Sequence, residues 1–205
     1  MNSSSEVTGI VLAGGMSSRL GRNKALEPVG GLPLILRVLD RLSEVSSRAV
    51  AVVNDEGRAA ELRLPSWVTP VVDEYPGMGS LGGIYTGLAN AETDWGVVVA
   101  CDMPFLNTGL LTRMLSERGD SDVVVPVLDG RPEPTHAAYS KVCLPHIRRR
   151  LEAGELKITG FFESVRVTYM DQAQVEALDP CLLSFFNVNT QSDLDRAHEL
   201  VSSGH

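Results

Sequence analysis

Short apolar runs alternate with amphipathic segments along almost the whole chain, and this alternation constrains the fold more than any other feature of the sequence. We predict buried strands at residues 7–12, 49–53, 68–73, 96–101, 122–128, 166–170 and 184–190. We predict helices at residues 32–46, 57–63, 81–91, 107–118 and 141–153, with a last helix after Thr190. Strands that alternate with helices are typical of an α/β fold with a mainly parallel sheet and helices on both faces.

Two local signals refine this topology. The Asp-Gly pair at 129–130 predicts a tight turn, after which residues 133–140 return antiparallel to the preceding strand. Thr190, followed three residues later by Asp193, predicts a capping box at the start of the last helix. We therefore expect a Rossmann-like, doubly wound, mainly parallel sheet with an antiparallel C-terminal portion.

The composition bounds the class of protein. The chain has 205 residues, of which 43% are hydrophobic and 21% charged, so we expect one domain over residues 1–205 with flexible ends at 1–6 and 202–205. The net charge of −8 argues against nucleic-acid and anionic-membrane partners. The three cysteines include no CxxC pair, which argues against a disulfide framework and a zinc site. The first residues lack the features of a secretion signal, no run reaches the roughly 18 apolar residues of a membrane span, and we expect a cytoplasmic protein.

The stretch LAGGMSSRLGRNKAL, residues 12–26, directly follows the first predicted strand. It contains two adjacent glycines, Gly14 and Gly15, and the cations Arg19, Arg22 and Lys24. Glycines let backbone N–H groups approach a ligand, and consecutive N–H groups in a turn bind anions. On an acidic protein, this combination predicts a site for a polyphosphate.

Polar residues also follow the next three predicted strands, where Asn54, Asp73 and Asp102 stand at the strand ends. Ligands of open parallel sheets bind beyond the carboxyl ends of the strands. Mg²⁺ usually takes one or two carboxylates together with phosphate oxygens. The sequence therefore predicts a site for a nucleoside triphosphate and a magnesium ion.

Two common phosphate-binding motifs compete with this interpretation. The Walker loop fails, because Lys24 does not follow a glycine and is followed by Ala25. A GxGxxG pattern at Gly77, Gly79 and Gly82 resembles the dinucleotide fingerprint, which needs an acidic residue about 20 positions later. That fingerprint sits tightly at the end of its strand, whereas DEYP intervenes here. We favour a loop that approaches the bound nucleoside.

Several motifs together resemble those of the molybdenum cofactor guanylyltransferases. They are LAGGMSSRLGRNKAL, DEYPGMGSLGGIYTGL, ACDMPFL, GRPEPTHAAYS and FFNVNTQSDL, and they occur in the family's order over roughly residues 8–198. The resemblance implies a fold like that of the nucleotide-diphospho-sugar transferases. It also implies transfer of GMP from GTP to the terminal phosphate of molybdenum-carrying molybdopterin, with release of pyrophosphate. Magnesium is the implied cofactor, and molybdoenzyme apoproteins or their chaperones are implied partners.

The resemblance also implies roles for individual residues. Gly15, Arg19, Lys24 and Asp102 would be the catalytic group, with Asp102 also holding the metal. The nucleotide would be bound by Leu12, Ala13, Gly14, Lys24, Asn54, Asp73 and Asp102. The acceptor, or pterin, side would be formed by Arg131, His136, Asn187 and Asn189.

The sequence departs from the family pattern at two positions. Asn23 replaces the usual aspartate before the lysine, and Ser80 replaces the common proline of the glycine-rich loop. Gly15 favours GTP, because the related cytidylyltransferases carry LAAG at this point. A transferase that uses CTP or a sugar-phosphate acceptor, and a non-catalytic nucleotide-binding chaperone, stay open as alternatives.

Overall fold

A computed structural model describes residues 7–14 and 23–204 and places most of the predicted strands in one sheet. Its strands run in the order β10-β7-β9-β6-β1-β4-β5, and β8 pairs with β7. The bounds are β1 Thr8–Leu12, β4 Arg48–Val53, β5 Val68–Val72, β6 Trp95–Ala100, β7 Val123–Leu128, β8 Arg131–Pro132, β9 His136–Ser140 and β10 Val167–Met170; a separate two-stranded hairpin contains β2 Pro28–Val29 and β3 Leu32–Pro33.

Parallel pairing dominates the sheet. β1 lies between β4 and β6 and is parallel to both, with Val11 opposite Ala51 and Val99. β9 is antiparallel to β6 and β7, as the Asp-Gly turn predicted, whereas β10 is parallel to β7. Within the described sheet, the antiparallel portion is therefore limited to β8 and β9. The prediction of a mainly parallel α/β fold is confirmed.

Seven α-helices in the described ranges surround this sheet, and they cover both of its faces. Their bounds are α1 Leu34–Ser43, α2 Glu56–Glu61, α3 Gly79–Asn90, α4 Thr108–Ser116, α5 Leu144–Glu152, α6 Gln172–Glu176 and α7 Gln191–Ser202. Short 3-10 turns at Lys24–Leu26, Lys141–Cys143, Ile158–Ser164 and Leu183–Phe185 connect other segments. The bounds of six of these helices agree with the helical predictions to within a few residues, since fraying and caps blur helix ends. The short helix α6 was not predicted.

Alternating strand residues build two apolar layers, because successive side chains point to opposite faces of a sheet. Val11 and Val99 belong to the layer that packs against α1 and α4. Ile10 and Val98 belong to the layer that packs against α3 and α5. A third, smaller cluster joins α7 to Val29 and Phe105, so the last helix is fixed near the carboxyl ends of the strands.

The predicted strand at 184–190 is wrong. The chain there forms a 3-10 turn over Leu183–Phe185, followed by residues without regular structure. The carboxylate of Asp179 accepts hydrogen bonds from the N–H groups of Leu183 and Ser184, which stabilise the turn. Val188 then donates one backbone hydrogen bond to Asp102, at 2.9 Å, in place of a strand ladder.

Thr190 caps α7 through a capping box with Asp193, which confirms that prediction. α7 continues to Ser202, and the predicted flexible end at residues 1–6 lies outside the described ranges. In residues 7–14 and 23–204, no helix has the length and apolarity needed to cross a membrane.

Close packing of α3 on β1 depends on Gly87. A Cβ atom at this position would overlap Cγ2 of Ile10. We expect Gly87→Ala to lower the free energy of unfolding by about 1–2 kcal/mol, because overpacking outweighs the gain in helix propensity. Urea unfolding of this variant, of Ile10→Ala and of the double variant measures the effect. The alanine at 87 should cost much less when Ile10 is already truncated, and equal costs in both backgrounds would contradict this packing.

Candidate active site

The carboxyl ends of three neighbouring parallel strands bring the predicted nucleotide-binding residues to one edge of the sheet. Leu12 ends β1 and is followed by Ala13 and Gly14, while Asn54 and Asp73 follow β4 and β5. Hydrogen bonds continue past the strand ends, from Ala13 N to Val52 O and from Asp73 N to Val53 O, both 2.8 Å. The backbone at this edge is thus fixed by the sheet itself.

Lys24 and Asp102 form an ion pair at the same edge. Lys24 Nζ lies 2.5 Å from Asp102 Oδ2 and donates a second hydrogen bond to Asn189 Oδ1 at 2.7 Å. The side chains of Lys24 and Asp102 are only 13% and 17% exposed, so solvent screens the pair weakly. Three residues that are far apart in the sequence therefore form one hydrogen-bonded cluster around the Lys24 ammonium group.

The second oxygen of Asp102 is unused. Asp102 Oδ1 is buried and has no hydrogen-bond partner among the described residues. A buried carboxylate oxygen without a partner is costly and calls for an explanation, such as an ion that is bound in the working protein.

Asn189 is held in place by the start of α7. Its backbone N–H donates to Asp193 Oδ2 at 2.9 Å, and the same oxygen accepts from Thr190 N at 2.8 Å. Burial acts to raise the pKa of Asp193, but these hydrogen bonds outweigh it and hold that pKa below the ordinary value. Asn187, in contrast, donates a local hydrogen bond from its side-chain amide to Phe185 O at 2.9 Å.

A cavity of about 470 Å³ opens beside β1 and β4. This volume is typical of small-molecule sites. Its lining combines the strand-end residues with the glycine-rich loop: Leu12, Gly14, Val52, Asn54, Asp73, Pro76, Gly77, Gly79, Ser80 and Gly83. The structure therefore brings together the loop at 77–80 and the residues predicted to bind the nucleoside.

Gly14 leaves room for the side chain of Asn54, which follows the neighbouring strand β4. A Cβ atom at Gly14 would lie 2.6 Å from Asn54 Oδ1. Gly77 and Gly79 have φ angles of +82° and +62°, which favour glycine over other residues. The glycines thus permit both the close approach of β1 to Asn54 and the path of the loop.

A divalent cation fits the donors at Asp102. In the part of the chain that the structure describes, no cluster of three or more His, Cys, Asp or Glu side chains could hold a metal ion. Mg²⁺ in nucleotide sites nevertheless needs only one or two carboxylates, since phosphates and waters complete its shell. The unpartnered Asp102 Oδ1 supplies one such carboxylate oxygen.

Comparisons with known proteins place the chain in a family. Residues 9–167 match the MobA-like NTP transferase domain. The chain is 38% identical to a probable molybdenum cofactor guanylyltransferase of Pelotomaculum thermopropionicum, over 97% of this chain and 95% of the relative. It is 36% identical to the molybdenum cofactor guanylyltransferase of Desulfosudis oleivorans, over 97% of each.

A crystal structure of molybdopterin-guanine dinucleotide biosynthesis protein A from Archaeoglobus fulgidus superposes with a TM-score of 0.83. It is 32% identical to this chain and covers 96% of it, and all of that structure is matched. This chain belongs to the molybdenum cofactor guanylyltransferases of the MobA-like NTP transferase family. The predicted family, fold and nucleotidyltransferase class are therefore confirmed.

In the part of the chain that the structure describes, the other residues predicted for the site do not belong to the cluster around Lys24 or to the cavity lining. Gly15 and Arg19 lie outside the described residues, so their roles stay predictions. Arg131 is exposed at the start of β8. His136 is fully buried, and its ring packs 4.7 Å from the ring of Phe185. An acceptor could reach His136 only if this packing changed, and its acceptor-side role stays a prediction.

Sequence reasoning missed Thr86, a hydroxyl in the buried face of α3. Thr86 Oγ1 donates to Asp73 Oδ1 at 2.9 Å. The signal in the sequence was a threonine within the apolar stretch LGGIYTGL, directly after the glycine-rich loop.

A buried thiol next to the candidate site is not suited to act as a nucleophile. Cys101 precedes Asp102 and is buried. Burial, and then the charge of Asp102, raise the pKa of the Cys101 thiol to about 12. The group stays protonated at neutral pH, so it offers no thiolate for covalent catalysis.

Burial of His136 makes stability depend on pH. Burial lowers the pKa of His136 to about 4, although the charge of Asp179 opposes this. Between pH 4 and about 6.5 the unfolded chain binds a proton that the folded chain does not, so stability falls as the pH is lowered. We expect the loss from His136 to be on the order of 3 kcal/mol at pH 4.

Urea unfolding from pH 7 to pH 4 tests this expectation with two variants. His136→Gln should remove its share of the pH slope, whereas the exposed His198→Gln should leave the slope as in the parent. A His136→Gln variant with the parent's slope would contradict the neutral state of the buried ring.

Proposed function

We propose that this chain transfers GMP from GTP to the terminal phosphate of molybdenum-carrying molybdopterin and releases pyrophosphate. The observation that carries the proposal is the cluster of Lys24, Asp102 and Asn189 beside the cavity that Asn54 and Asp73 line. β1 supplies the link, since Cys101 N donates to Leu12 O at 3.1 Å and Leu12 lines the cavity. Charge for a triphosphate and room for a nucleoside thus stand one strand apart.

The nucleoside occupies the cavity in this proposal. Asn54 offers an amide, and Asp73 offers a carboxylate that accepts hydrogen bonds from N–H or O–H groups. Leu12 and Val52 add apolar surface, and the loop at 77–80 covers the base or ribose. Leu12, Ala13 and Gly14 lie against the nucleotide, and Gly15 shapes the phosphate loop.

The reaction needs charge neutralisation rather than a general base. The attacking oxygen belongs to a phosphate that is already ionised at neutral pH. A bond forms between this oxygen and the α-phosphorus of GTP, and the bond from that phosphorus to the bridging oxygen breaks. Pyrophosphate leaves with the electron pair of that bond. Lys24 and Arg19 balance the triphosphate charge and align the phosphates for in-line attack.

Magnesium is the metal in this proposal. Asp102, through its unpartnered Oδ1, would hold Mg²⁺ together with phosphate oxygens, and Asn189, which accepts a hydrogen bond from Lys24, would lie near the metal and the acceptor. When bound, the ion neutralises charge on the phosphates. Asp102 Oδ2 keeps Lys24 beside the phosphates, so one carboxylate would position two cations.

The acceptor side is proposed around the segment that leads into α7. Asn189 belongs to the charged cluster, while Asn187 shapes the preceding turn. Arg131 provides an exposed cation, and His136 becomes available only if Phe185 moves. We further propose that residues 1–205 work as one domain in the cytoplasm, where molybdoenzyme apoproteins or their chaperones collect the product.

A nucleotide panel tests the substrate assignment. Pyrophosphate release with Mg²⁺ and molybdopterin should be fastest with GTP, and it should be slow with CTP or with sugar phosphates as acceptors. Faster turnover with CTP or a sugar phosphate would assign the chain to a neighbouring transferase activity. GTP binding without turnover would favour the non-catalytic alternative.

Asp102 can be tested against a matched residue at the opposite end of its strand. Asp102→Asn should lower turnover by about a hundredfold or more, because it removes the charge that orders Lys24 and the metal. Asp94 is exposed just before β6, and Asp94→Asn should leave turnover unchanged. Both variants should keep the parent's circular dichroism spectrum. Parent-like turnover in Asp102→Asn would refute its catalytic role.

A further inference from the structure

Thr86 is fully buried on α3 and directs its hydroxyl out of the helix. Oγ1 donates to Asp73 Oδ1 at 2.9 Å and accepts from Glu74 N at 3.0 Å. Threonine hydroxyls inside helices usually bond to a carbonyl of the preceding turn. Here the hydroxyl instead connects α3 to the segment that follows β5, where the nucleoside cavity begins.

The two oxygens of Asp73 are used unequally. Oδ1 accepts from Thr86 and also from Tyr75 N, at 3.0 Å. Oδ2 has no hydrogen-bond partner among the described residues, and Asp73 lines the cavity. Two donors on one oxygen fix the orientation of the carboxylate and leave the other oxygen for a ligand.

The packing around Thr86 makes this arrangement stiff. Tyr75 packs edge-on against Tyr85, with ring centroids 5.1 Å apart, and Arg148 donates to the Tyr85 hydroxyl. Tyr85 is itself nearly buried. The two donors to Asp73 Oδ1 are therefore held in place by packed neighbours. Of these two donors, only the Thr86 hydroxyl can be removed by a substitution that keeps the side-chain volume.

We propose that Thr86 is a positioning residue that sets nucleotide affinity through Asp73. It holds Oδ1 so that Oδ2 accepts a hydrogen bond from the nucleoside, either from the ribose 2′-hydroxyl or from the 2-amino group of guanine. The inference rests on the proposed function, because it assumes that the nucleoside of GTP occupies the cavity. Thr86 acts only through Asp73, which contacts the nucleoside and not the reacting phosphates. Its effect therefore appears in the affinity for GTP rather than in the chemical step.

The experiment compares three variants with the parent in calorimetric titrations with GTP and Mg²⁺, without acceptor. Thr86→Val keeps the shape and removes the hydroxyl, whereas Thr86→Ser keeps the hydroxyl. Thr8→Val is the matched control, because Thr8 is 2% exposed and its hydroxyl bonds to Thr93 Oγ1 at 2.8 Å. Thr8 begins β1, at the end of the strand away from the cavity.

We expect Thr86→Val to raise the Kd for GTP by about tenfold, the scale of a hydrogen bond to a charged group. Thr86→Ser and Thr8→Val should stay close to the parent. In turnover assays, Thr86→Val should raise KM for GTP while kcat changes little. A purely structural role would lower thermal stability in Thr86→Val and Thr8→Val alike and leave the Kd for GTP unchanged, which would overturn the proposal.

Two analogues identify the donor. If the effect of Thr86→Val disappears with dGTP, the 2′-hydroxyl is the donor; if it disappears with ITP, the 2-amino group is the donor. Either result supports the proposal, and an effect of equal size with GTP, dGTP and ITP would overturn it. A parent protein that does not bind GTP at all would instead refute the proposed function.

Discussion

Parallel pairing of β1 with β4 and β6 is the constraint on which the site depends. Because these strands run in one direction and in register, their carboxyl ends reach the same edge, and the residues after them meet there. Asn54, Asp73 and Asp102 are at least 19 residues apart in the sequence, yet the hydrogen-bonded strands that precede them bring them to the same edge. Burial of both faces of the sheet then holds this register, since a shift by one residue would exchange the two apolar layers.

The C-terminal segment adds what the sheet cannot supply. A partly buried carboxylate and ammonium lose solvation, so they need further hydrogen bonds as well as each other. Asn189 gives Lys24 that additional partner, and Val188 binds the backbone of Asp102. The capping box of α7 fixes Asn189 in turn, and the small apolar cluster under α7 secures the helix. The stability of α7 and the positions of Lys24 and Asp102 are therefore coupled through Asn189.

The strands and the strand-end residues of the site could be predicted from the sequence, because both depend on local patterns of apolar and polar residues. Alternating apolar runs predicted the strands, and the strand-end rule predicted that Asn54, Asp73 and Asp102 converge. Residues 184–190 were misjudged because an apolar run resembles a strand, whereas the Asp179 carboxylate closes a turn there. Thr86 stood out only as a hydroxyl within an apolar stretch, and its role was missed because it depends on a contact between α3 and Asp73 that no local pattern encodes. The burial of His136 under Phe185 is likewise a property of tertiary packing alone.

Glycines in a phosphate-binding loop are usually explained by their close approach to the ligand. In this protein, packing between side chains explains some of them as well. A Cβ atom at Gly14 would displace Asn54 Oδ1, the end of a side chain that lines the same cavity, before any nucleotide is considered. Gly83 similarly lets α3 approach Leu12, whose Cδ2 atom would lie 3.1 Å from an added Cβ. Both contacts bring groups of the cavity wall close to each other. The glycines of this site thus act first on the shape of the cavity. Its wall also contains Asp73, whose Oδ2 has no hydrogen-bond partner in the described ranges.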